Sequence, residues 1–172
     1  MKTLKAQKLC NDAFRKYGVY QDLLNNDEMR KRTIMESGGA GGFYADLVAL
    51  DFNPAGNLPT ISMCHVLKKE KNVVNFLEYH QYTSEGLLPL DDDVLIYVGI
   101  PGRGELTVDK IECFLVPKGT FVKLNPLVVH GSQYPVNKDE AHIVCMLPGR
   151  TFKNDMVARL ITDEAEMAEL TV

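Results

Sequence analysis

The sequence contains no long run of one residue kind: no stretch approaches the ~18 apolar residues of a membrane helix, and the lysines and arginines form no long basic tract. The first absence argues against a membrane-spanning helix. The second, with a formal net charge of −4, argues against a nucleic-acid partner. The short Lys-rich pieces at 2–8 and 68–71 are interrupted and indicate solvated faces. Lys2, Lys5 and Lys8 also break any apolar run at the start, so we expect no signal peptide.

Paired cysteine spacing is also absent. The four cysteines occur without any CxxC motif: Cys10, Cys64, Cys113 and Cys145. Three of them, all except Cys10, lie in apolar segments that look like strands. This distribution predicts reduced, mostly buried thiols in a cytoplasmic protein, with no disulfide framework.

Length and composition are ordinary for a soluble globular protein. The chain has 172 residues, of which 45% are hydrophobic and 24% charged. A chain of this size predicts one domain whose hydrophobic core can be stable without a disulfide or a structural metal ion. We find no internal repeat and no linker. We divide the domain into an N-terminal helical and loop segment at 1–42, a β-barrel at 43–150 and a C-terminal helical segment at 151–172.

From Phe43 onward the chain reads as short apolar segments rich in β-branched and aromatic residues, separated by Gly, Pro, Asn and Asp. Turn signals include the stretches at 91–93 and 137–139. Candidate strands occupy 43–51, 60–66, 73–82, 94–99, 111–116, 120–125, 127–130 and 141–147. About eight short strands at this spacing predict an all-β sandwich or barrel, β-rich with minor α-helix. After Pro148-Gly149 the apolar spacing lengthens and predicts one or two C-terminal helices.

The stretch from 75 to 90 carries the strongest functional signal. In a β-strand, Glu78 and His80 point to the same face, and the other members of that face are apolar or aromatic. Unpaired burial of such groups is costly, so each needs a partner. Glu85 follows after a turn-like Thr-Ser pair and can return opposite them. A second segment, which runs from 124 to His130, supplies a further imidazole.

This arrangement resembles a cupin, whose first motif is normally His-x-His-x3–4-Glu and whose second motif carries a Gly, a Pro and a later His. Here Glu78 stands where the first His would be, and His80, Glu85 and His130 occupy the other three ligand positions. The resemblance implies a single-domain jelly-roll β-barrel with N- and C-terminal helical segments. Two imidazoles and two carboxylates suit Mn, Fe, Ni, Co or Zn better than Mg or Ca. No organic cofactor is expected.

A narrower resemblance is to the ureidoglycolate lyase family. Ala13-Phe14-Arg15-Lys16-Tyr17-Gly18 is similar to the opening of that family. Leu77-Glu78-Tyr79-His80 followed by Leu87-Leu88-Pro89 is similar to its Leu-Glu-Arg-His motif and the later apolar pair before Pro. The order and spacing match from about residue 9 to 150. The chain departs from the family where Glu85 replaces a Gln and where Val129-His130-Gly131 replaces Trp-His-His.

The resemblance implies a carbon–nitrogen lyase of the amidine-lyase type that eliminates urea from ureidoglycolate and leaves glyoxylate, a step in allantoin and purine catabolism. The substrate would be a small polar molecule bearing a carboxylate. We expect Glu78, His80, Glu85 and His130 to hold a divalent metal, with Glu85 as the alternative base. We assign Glu85, His130 and Tyr82 to catalysis, the last as a donor to a developing oxyanion. The candidates for substrate binding are Lys123, Asn125 and His65.

Two other functions remain open at this point. One is a metal-dependent cupin isomerase or lyase that acts on a sugar-like or keto acid. The other is a small-molecule binding module without catalysis, because a fold does not fix a function. Jelly rolls leave sheet edges that a second subunit often covers, so a homodimer is expected.

Overall fold

The computed structural model describes residues 1–38, 41–52, 58–102 and 105–172. The elements up to the middle of the chain are β1 Lys2–Lys5, β2 Gln7–Lys8, α1 Asn11–Phe14, β3 Gly18–Asp22, α2 Asn26–Arg32, β4 Glu36–Gly38, β5 Gly42–Tyr44, β6 Pro59–Leu67, β7 Asn72–Val74, β8 Phe76–Tyr79 and β9 Glu85–Pro89. The remaining elements are β10 Val94–Gly99, a 3-10 turn at Val108–Lys110, β11 Ile111–Val116, β12 Thr120–Leu124, β13 Tyr134–Pro135, β14 Glu140–Pro148, α3 Thr151–Asn154, β15 Val157–Leu160, a 3-10 turn at Glu164–Glu166 and β16 Ala168–Thr171.

Two sheets form the centre of the fold. One has five antiparallel strands in the order β3-β12-β9-β14-β6, and the other has four strands in the order β13-β10-β11-β2. Leu87, Val122 and Ile143 of the five-stranded sheet share a buried cluster with Ile96 and Phe114 of the other sheet. The two sheets therefore face each other across one core, which confirms the β-rich jelly-roll class as a sandwich of separate sheets.

Strand β10 is buried along its whole length because it lies between two cores. Val94, Ile96 and Val98 pack into the cluster between the main sheets. Leu95 and Tyr97 face the other way and pack into a second cluster. An uninterrupted apolar run is the sequence pattern expected of a strand covered on both faces.

The second cluster corrects the prediction for the C-terminal segment. Only α3 and a 3-10 turn are helical there, and the last element is the strand β16, which pairs in parallel with β1 and antiparallel with β7. Ala168 and Leu170 alternate inward and close the second core. The apolar spacing was compatible with a helix, but tertiary pairing with two distant strands decided the outcome. At the start of this 3-10 turn, the Asp163 side chain accepts a hydrogen bond from the Ala165 backbone N–H.

Three strand predictions also need correction. The strand expected at 43–51 is short and ends at Tyr44, and the strand expected at 73–82 is two strands interrupted at Asn75. The segment 127–130 forms isolated bridges rather than a strand. In addition, β9 was not among the candidate strand ranges, and the segment expected to be helical or loop at 1–42 contains the strands β1 to β4 as well as α1 and α2. In the described residues, no helix is long and apolar enough to cross a membrane.

Two turns predicted from the sequence are joined through the buried carboxylate of Asp92. It accepts hydrogen bonds from the backbone N–H groups of Val136, Asn137 and Lys138 at 2.9–3.0 Å and from the Asn137 side chain at 3.0 Å. Burial by itself would raise the pKa of Asp92, but these hydrogen bonds outweigh it and lower the pKa. The ionised form therefore fastens the turn before β14 to the turn before β10.

We predict that Asp92→Ala lowers the free energy of unfolding by about 3 kcal/mol, because several backbone donors lose a charged acceptor. Since the folded pKa is depressed, the stabilisation is present above the unfolded pKa of about 3.9 and is lost as pH falls below it. Urea denaturation of both proteins at pH 7 and pH 3 measures this, with a smaller difference expected at the lower pH. Asp93→Ala is the control, because the Asp93 carboxylate accepts from the exposed Lys118 N–H. An equal loss in both variants would contradict the prediction.

Candidate active site

Three of the predicted site residues lie where strands begin or end. His80 directly follows β8, Glu85 begins β9, and His130 lies in the bridged segment after β12. The backbones of Glu78 and His130 exchange two hydrogen bonds of 2.8 Å, and the Leu127 N–H donates to the His80 carbonyl at 2.7 Å. These bonds bring the segment around 130 alongside the end of β8.

The side chains of His80, Glu85 and His130 converge in the interior. Glu85 Oε2 lies 2.8 Å from His130 Nε2 and 3.2 Å from His80 Nε2. One ligating atom from each residue lies within 4.8 Å of the other two, and all three side chains are buried. A buried His-Glu-His group of this size can hold a metal ion.

Backbone carbonyls fix the orientation of both imidazoles. His80 Nδ1 lies 2.7 Å from the Asp155 carbonyl oxygen, and His130 Nδ1 lies 2.8 Å from the Val128 carbonyl oxygen. Because a carbonyl can only accept, each Nδ1 carries the proton, and each Nε2 faces Glu85. A metal-binding histidine is typically held in this way through its other nitrogen.

Charge pairing dominates the electrostatics of the group. Burial would raise the pKa of Glu85, but the positive charge of His130 and the hydrogen bonds from His130 and His80 hold it at about 2. Burial would lower the pKa of His130, but the charge and hydrogen bond of Glu85, together with the charge of Glu78, raise it to about 9. Near neutral pH, Glu85 and His130 therefore form a buried ion pair.

Glu78 lies beside this group but is not among the three residues whose ligating atoms cluster. Its side chain is partly buried, and burial raises its pKa. The negative charge of Glu85 adds to this rise, while the charges of His130 and His80 oppose it. The two carboxylates thus differ in environment, and Glu78 holds a proton more readily than Glu85 does.

Each of two site residues is followed by a glycine that closely approaches its neighbours. A Cβ atom on Gly86 would lie 2.5 Å from Phe121 Cζ, and one on Gly131 would lie 2.0 Å from the Tyr97 hydroxyl. A side chain at either position would displace the backbone that carries Glu85 or His130. The pairs Glu85-Gly86 and His130-Gly131 are therefore fixed by packing.

Asp155 contacts the buried group, and the sequence analysis missed it. It is buried, its carbonyl holds His80, and its carboxylate accepts from the backbone N–H groups of Gln81 at 2.8 Å and Tyr82 at 3.0 Å. Phe152 of α3 also packs edge-on against the His80 ring, with centroids 6.0 Å apart. Nothing in the local sequence signals this role, since Asp155 and His80 are 75 residues apart.

Lys123 does not share a sheet face with Glu85. Its neighbours Val122 and Leu124 point into the core, so Lys123 points to the opposite face, where its ammonium lies 2.5 Å from the Asp51 carboxylate. Asn125 lies at the turn that precedes the His130 segment, and its carbonyl accepts from the Val128 N–H. Asn125 thus contributes to positioning that segment through its backbone.

Tyr82 and His65 lie away from the group. Strand β8 ends at Tyr79, so the alternation that would have aligned Tyr82 with Glu78 stops, and the Tyr82 side chain is 51% exposed. His65 shares a face with Ile61 and Met63 as expected, but that face of β6 is exposed. His65 pairs there with Glu140 at 2.8 Å and stacks on His142.

Comparison with known proteins places these features in one family. A sequence model described as ureidoglycolate lyase matches residues 1–168. A search of curated proteins finds no match.

Among solved structures, the chain is similar to a dTDP sugar isomerase from Desulfovibrio desulfuricans G20, with 12% identity, 76% of this chain and 82% of that chain covered, and a TM-score of 0.46. It is also similar to a dTDP-4-dehydrorhamnose 3,5-epimerase from Elizabethkingia anophelis, with 9% identity, coverage of 77% and 69%, and a TM-score of 0.40. These similarities are too distant to bear on the chemistry of the site.

Proposed function

This chain belongs to the ureidoglycolate lyase family, and from that premise we propose that it eliminates urea from ureidoglycolate to give glyoxylate. The observation that carries the proposal is the family match over nearly the whole chain, joined to a buried group of ionisable side chains inside the sandwich. The substrate would be a small molecule whose reacting carbon bears a hydroxyl, a carboxylate and a ureido nitrogen.

The reaction moves one proton from the hydroxyl oxygen to the ureido nitrogen. As the hydroxyl loses its proton, the oxygen forms a double bond to carbon, the carbon–nitrogen bond breaks, and urea leaves with the proton on nitrogen. A side chain that accepts and returns this proton contributes about 10²–10⁴-fold to the rate. One well-placed carboxylate is enough for both transfers, because the proton that leaves oxygen is the proton that nitrogen needs.

We assign this transfer to Glu78. It lies beside the buried group without being part of it, and its backbone is paired directly with that of His130. A raised pKa supports the assignment, because a proton-transfer group works best when its pKa approaches the working pH. Glu85, the base favoured by the sequence, is a weaker base in this setting because its pKa is held at about 2.

His80, Glu85 and His130 would hold a divalent metal. Two imidazole nitrogens and one carboxylate oxygen are a donor set that suits Mn, Fe, Ni, Co or Zn, and the carbonyl bonds to both Nδ1 atoms leave the Nε2 atoms directed at the centre. When bound, such a metal supplies a Lewis acid that lowers the pKa of the substrate hydroxyl. Glu78 was expected as a fourth ligand, and in this proposal it is left free for proton transfer.

The test is elemental analysis of protein purified without chelator, followed by a glyoxylate-release assay with ureidoglycolate. We expect about one equivalent of a transition metal per chain and release of glyoxylate. A protein that contains metal but releases no glyoxylate would instead support the alternative function, a metal-dependent isomerase or lyase that acts on a sugar-like or keto acid. Binding of a small carboxylate without metal and without turnover would support a non-catalytic module.

We also propose a cytoplasmic homodimer formed through the outer face of β6. This strand is the edge of the five-stranded sheet, and it exposes Ile61 by 75%, Met63 by 51% and Leu67 by 59%. Exposed apolar side chains that share one face of a sheet are typical of a surface that a second chain covers. All four cysteines are free, which accords with a reducing compartment.

We predict that Ile61→Arg converts the dimer into a monomer, because it places a charge at the most exposed apolar residue of the proposed interface. Light scattering coupled to size-exclusion chromatography measures the mass of each form. Val19→Arg is a matched control, since Val19 is also an exposed apolar strand residue but lies on the opposite edge strand, β3. A monomeric parent protein, or a dimer that survives Ile61→Arg, would rule out this interface.

A further inference from the structure

Cys64 and Cys145 are in contact in the interior of the five-stranded sheet. Their sulfur atoms lie 3.3 Å apart. Cys64 is in β6 and Cys145 is in the neighbouring strand β14, where the backbone register places Cys64 opposite Ile143 and Cys145 opposite Ser62. The two cysteines are therefore diagonal neighbours across the strands, and both side chains point to the core side of the sheet.

The two thiols differ in access. Cys145 is 2% exposed, whereas Cys64 is only partly buried. Cys64 also lies on the edge strand β6, which has a hydrogen-bonded neighbour on one side only in the described sheet. A reagent in solution therefore reaches Cys64 first, and Cys145 is positioned behind it.

The pair is close to the candidate active site. Cys145 lies opposite Leu87 on β9, two residues along that strand from Glu85. Both sulfurs therefore lie on the core side of the sheet, next to the strand that begins with Glu85.

We propose that Cys64 and Cys145 form a reversible intramolecular disulfide beside the active site, with Cys64 as the attacking thiol and Cys145 as the resolving thiol. This is a modification site separate from the His-Glu-His group. The oxidant belongs to the class of low-molecular-weight disulfides, for which oxidised glutathione is the probe.

The chemistry proceeds in two balanced exchanges. The Cys64 thiolate attacks one sulfur of the small disulfide, forms a mixed disulfide and displaces the first small thiol. Cys145 then attacks the Cys64 sulfur and displaces the second small thiol, which leaves with the proton from Cys145. The protein loses two hydrogen atoms, and one small disulfide is reduced to two thiols.

The two strands must draw together for the bond to form, because diagonal neighbours lie about 7–8 Å apart and a disulfide usually spans about 4.4–6.8 Å between Cα atoms. The sulfurs must close from 3.3 Å to a bond length of about 2.05 Å. The edge strand β6 can supply this movement because it is held by β14 alone in its sheet. A link that must deform a sheet is strained, and strained disulfides are readily reduced, so the bond is expected to reverse with mild reductant.

Treatment of the native protein with oxidised glutathione tests this. We expect intact mass to fall by two hydrogen atoms, peptide mapping to link the peptides of Cys64 and Cys145, and dithiothreitol to reverse both changes. Since the residues are 81 apart in sequence, the link should also raise the Tm by about 5–10 °C. The exposed Cys10 reports that the oxidant is active, because it should accept glutathione in the same sample.

Single variants separate the two roles. Cys145→Ser should stop at a mixed disulfide on Cys64, Cys64→Ser should leave Cys145 reduced, and Cys10→Ser should retain the link. Free thiols at both positions after Cys10 has been glutathionylated would overturn the proposal, and so would a link that joins Cys10 to either residue. The parent protein alone decides this, so poor folding of a variant does not affect the test. The result is also independent of whether glyoxylate is released.

Discussion

Glu85→Gln is expected to abolish stoichiometric metal binding and to lower glyoxylate release at least about 10³-fold, although the family that the chain resembles carries Gln here, because the proposed metal site of this chain depends on a charged ligand between the two imidazoles. The substitution keeps the shape of the side chain but removes the negative charge that lies 2.8 Å and 3.2 Å from the two imidazoles. Without that charge, burial lowers the pKa of His130, and the group loses its anionic ligand. Activity and metal content, measured on the same preparations, check both effects.

Glu140→Gln is the matched control for this prediction. Glu140 also lies 2.8 Å from a histidine nitrogen, that of His65, but this pair is on the exposed face of β6. Exposed pairs of this kind contribute about 0–1 kcal/mol, so activity and stability should be nearly unchanged. Full activity in a folded Glu85→Gln protein would show that the His-Glu-His group takes no part in the mechanism. Activity in protein that contains no metal would leave Glu78 as the residue that carries the chemistry.

Asp155→Ala should have the second largest effect, with activity and metal affinity reduced about 10–100-fold and the free energy of unfolding lowered by about 3 kcal/mol. The carboxylate accepts from the N–H groups of Gln81 and Tyr82, and the carbonyl of the same residue holds His80 Nδ1. Loss of the carboxylate leaves both N–H groups without their acceptor and frees the carbonyl to move away from His80. Metal titration calorimetry and urea denaturation measure the two effects.

Asp163→Ala provides the comparison for Asp155→Ala. The Asp163 carboxylate also accepts from a backbone N–H, that of Ala165, but in an exposed 3-10 turn that belongs to neither β8 nor the His-Glu-His group. Asp163→Ala should lower the free energy of unfolding by about 1 kcal/mol and leave the metal affinity unchanged. A variant of Asp155 that is destabilised but binds metal normally would show that Asp155 supports the fold without positioning His80.

The local sequence predicted the structure correctly where the pattern of side chains matches the environment that the fold gives them. The apolar run at 94–99 predicted a strand, and in the structure the residues Val94–Val98 each pack into one of the two cores. Glu78, His80 and Glu85 were singled out because ionisable groups inside an apolar stretch need partners, and two of the three belong to the buried group. His130 was predicted to join them from a distant segment and does so.

The alternation of side chains along a strand misplaced residues where the strand ends or where the core lies on the opposite face. Tyr82 follows the end of β8, so its alternation with Glu78 is lost. Lys123 and His65 were expected to bind the substrate, but both side chains point away from the core. Parity tells which residues share a face, and it does not tell which face is buried.

From the sequence alone came the β-rich class, the resemblance to a family and three of the side chains that meet in the interior, because these depend on composition, on strand periodicity and on ionisable residues placed in apolar segments. Only the tertiary structure decided that Asp155 holds His80, that the C-terminal segment ends as a strand, and that Cys64 touches Cys145. Each of these depends on register between strands or segments far apart in the chain. That register is set by how whole faces pack together, which no short window of residues contains.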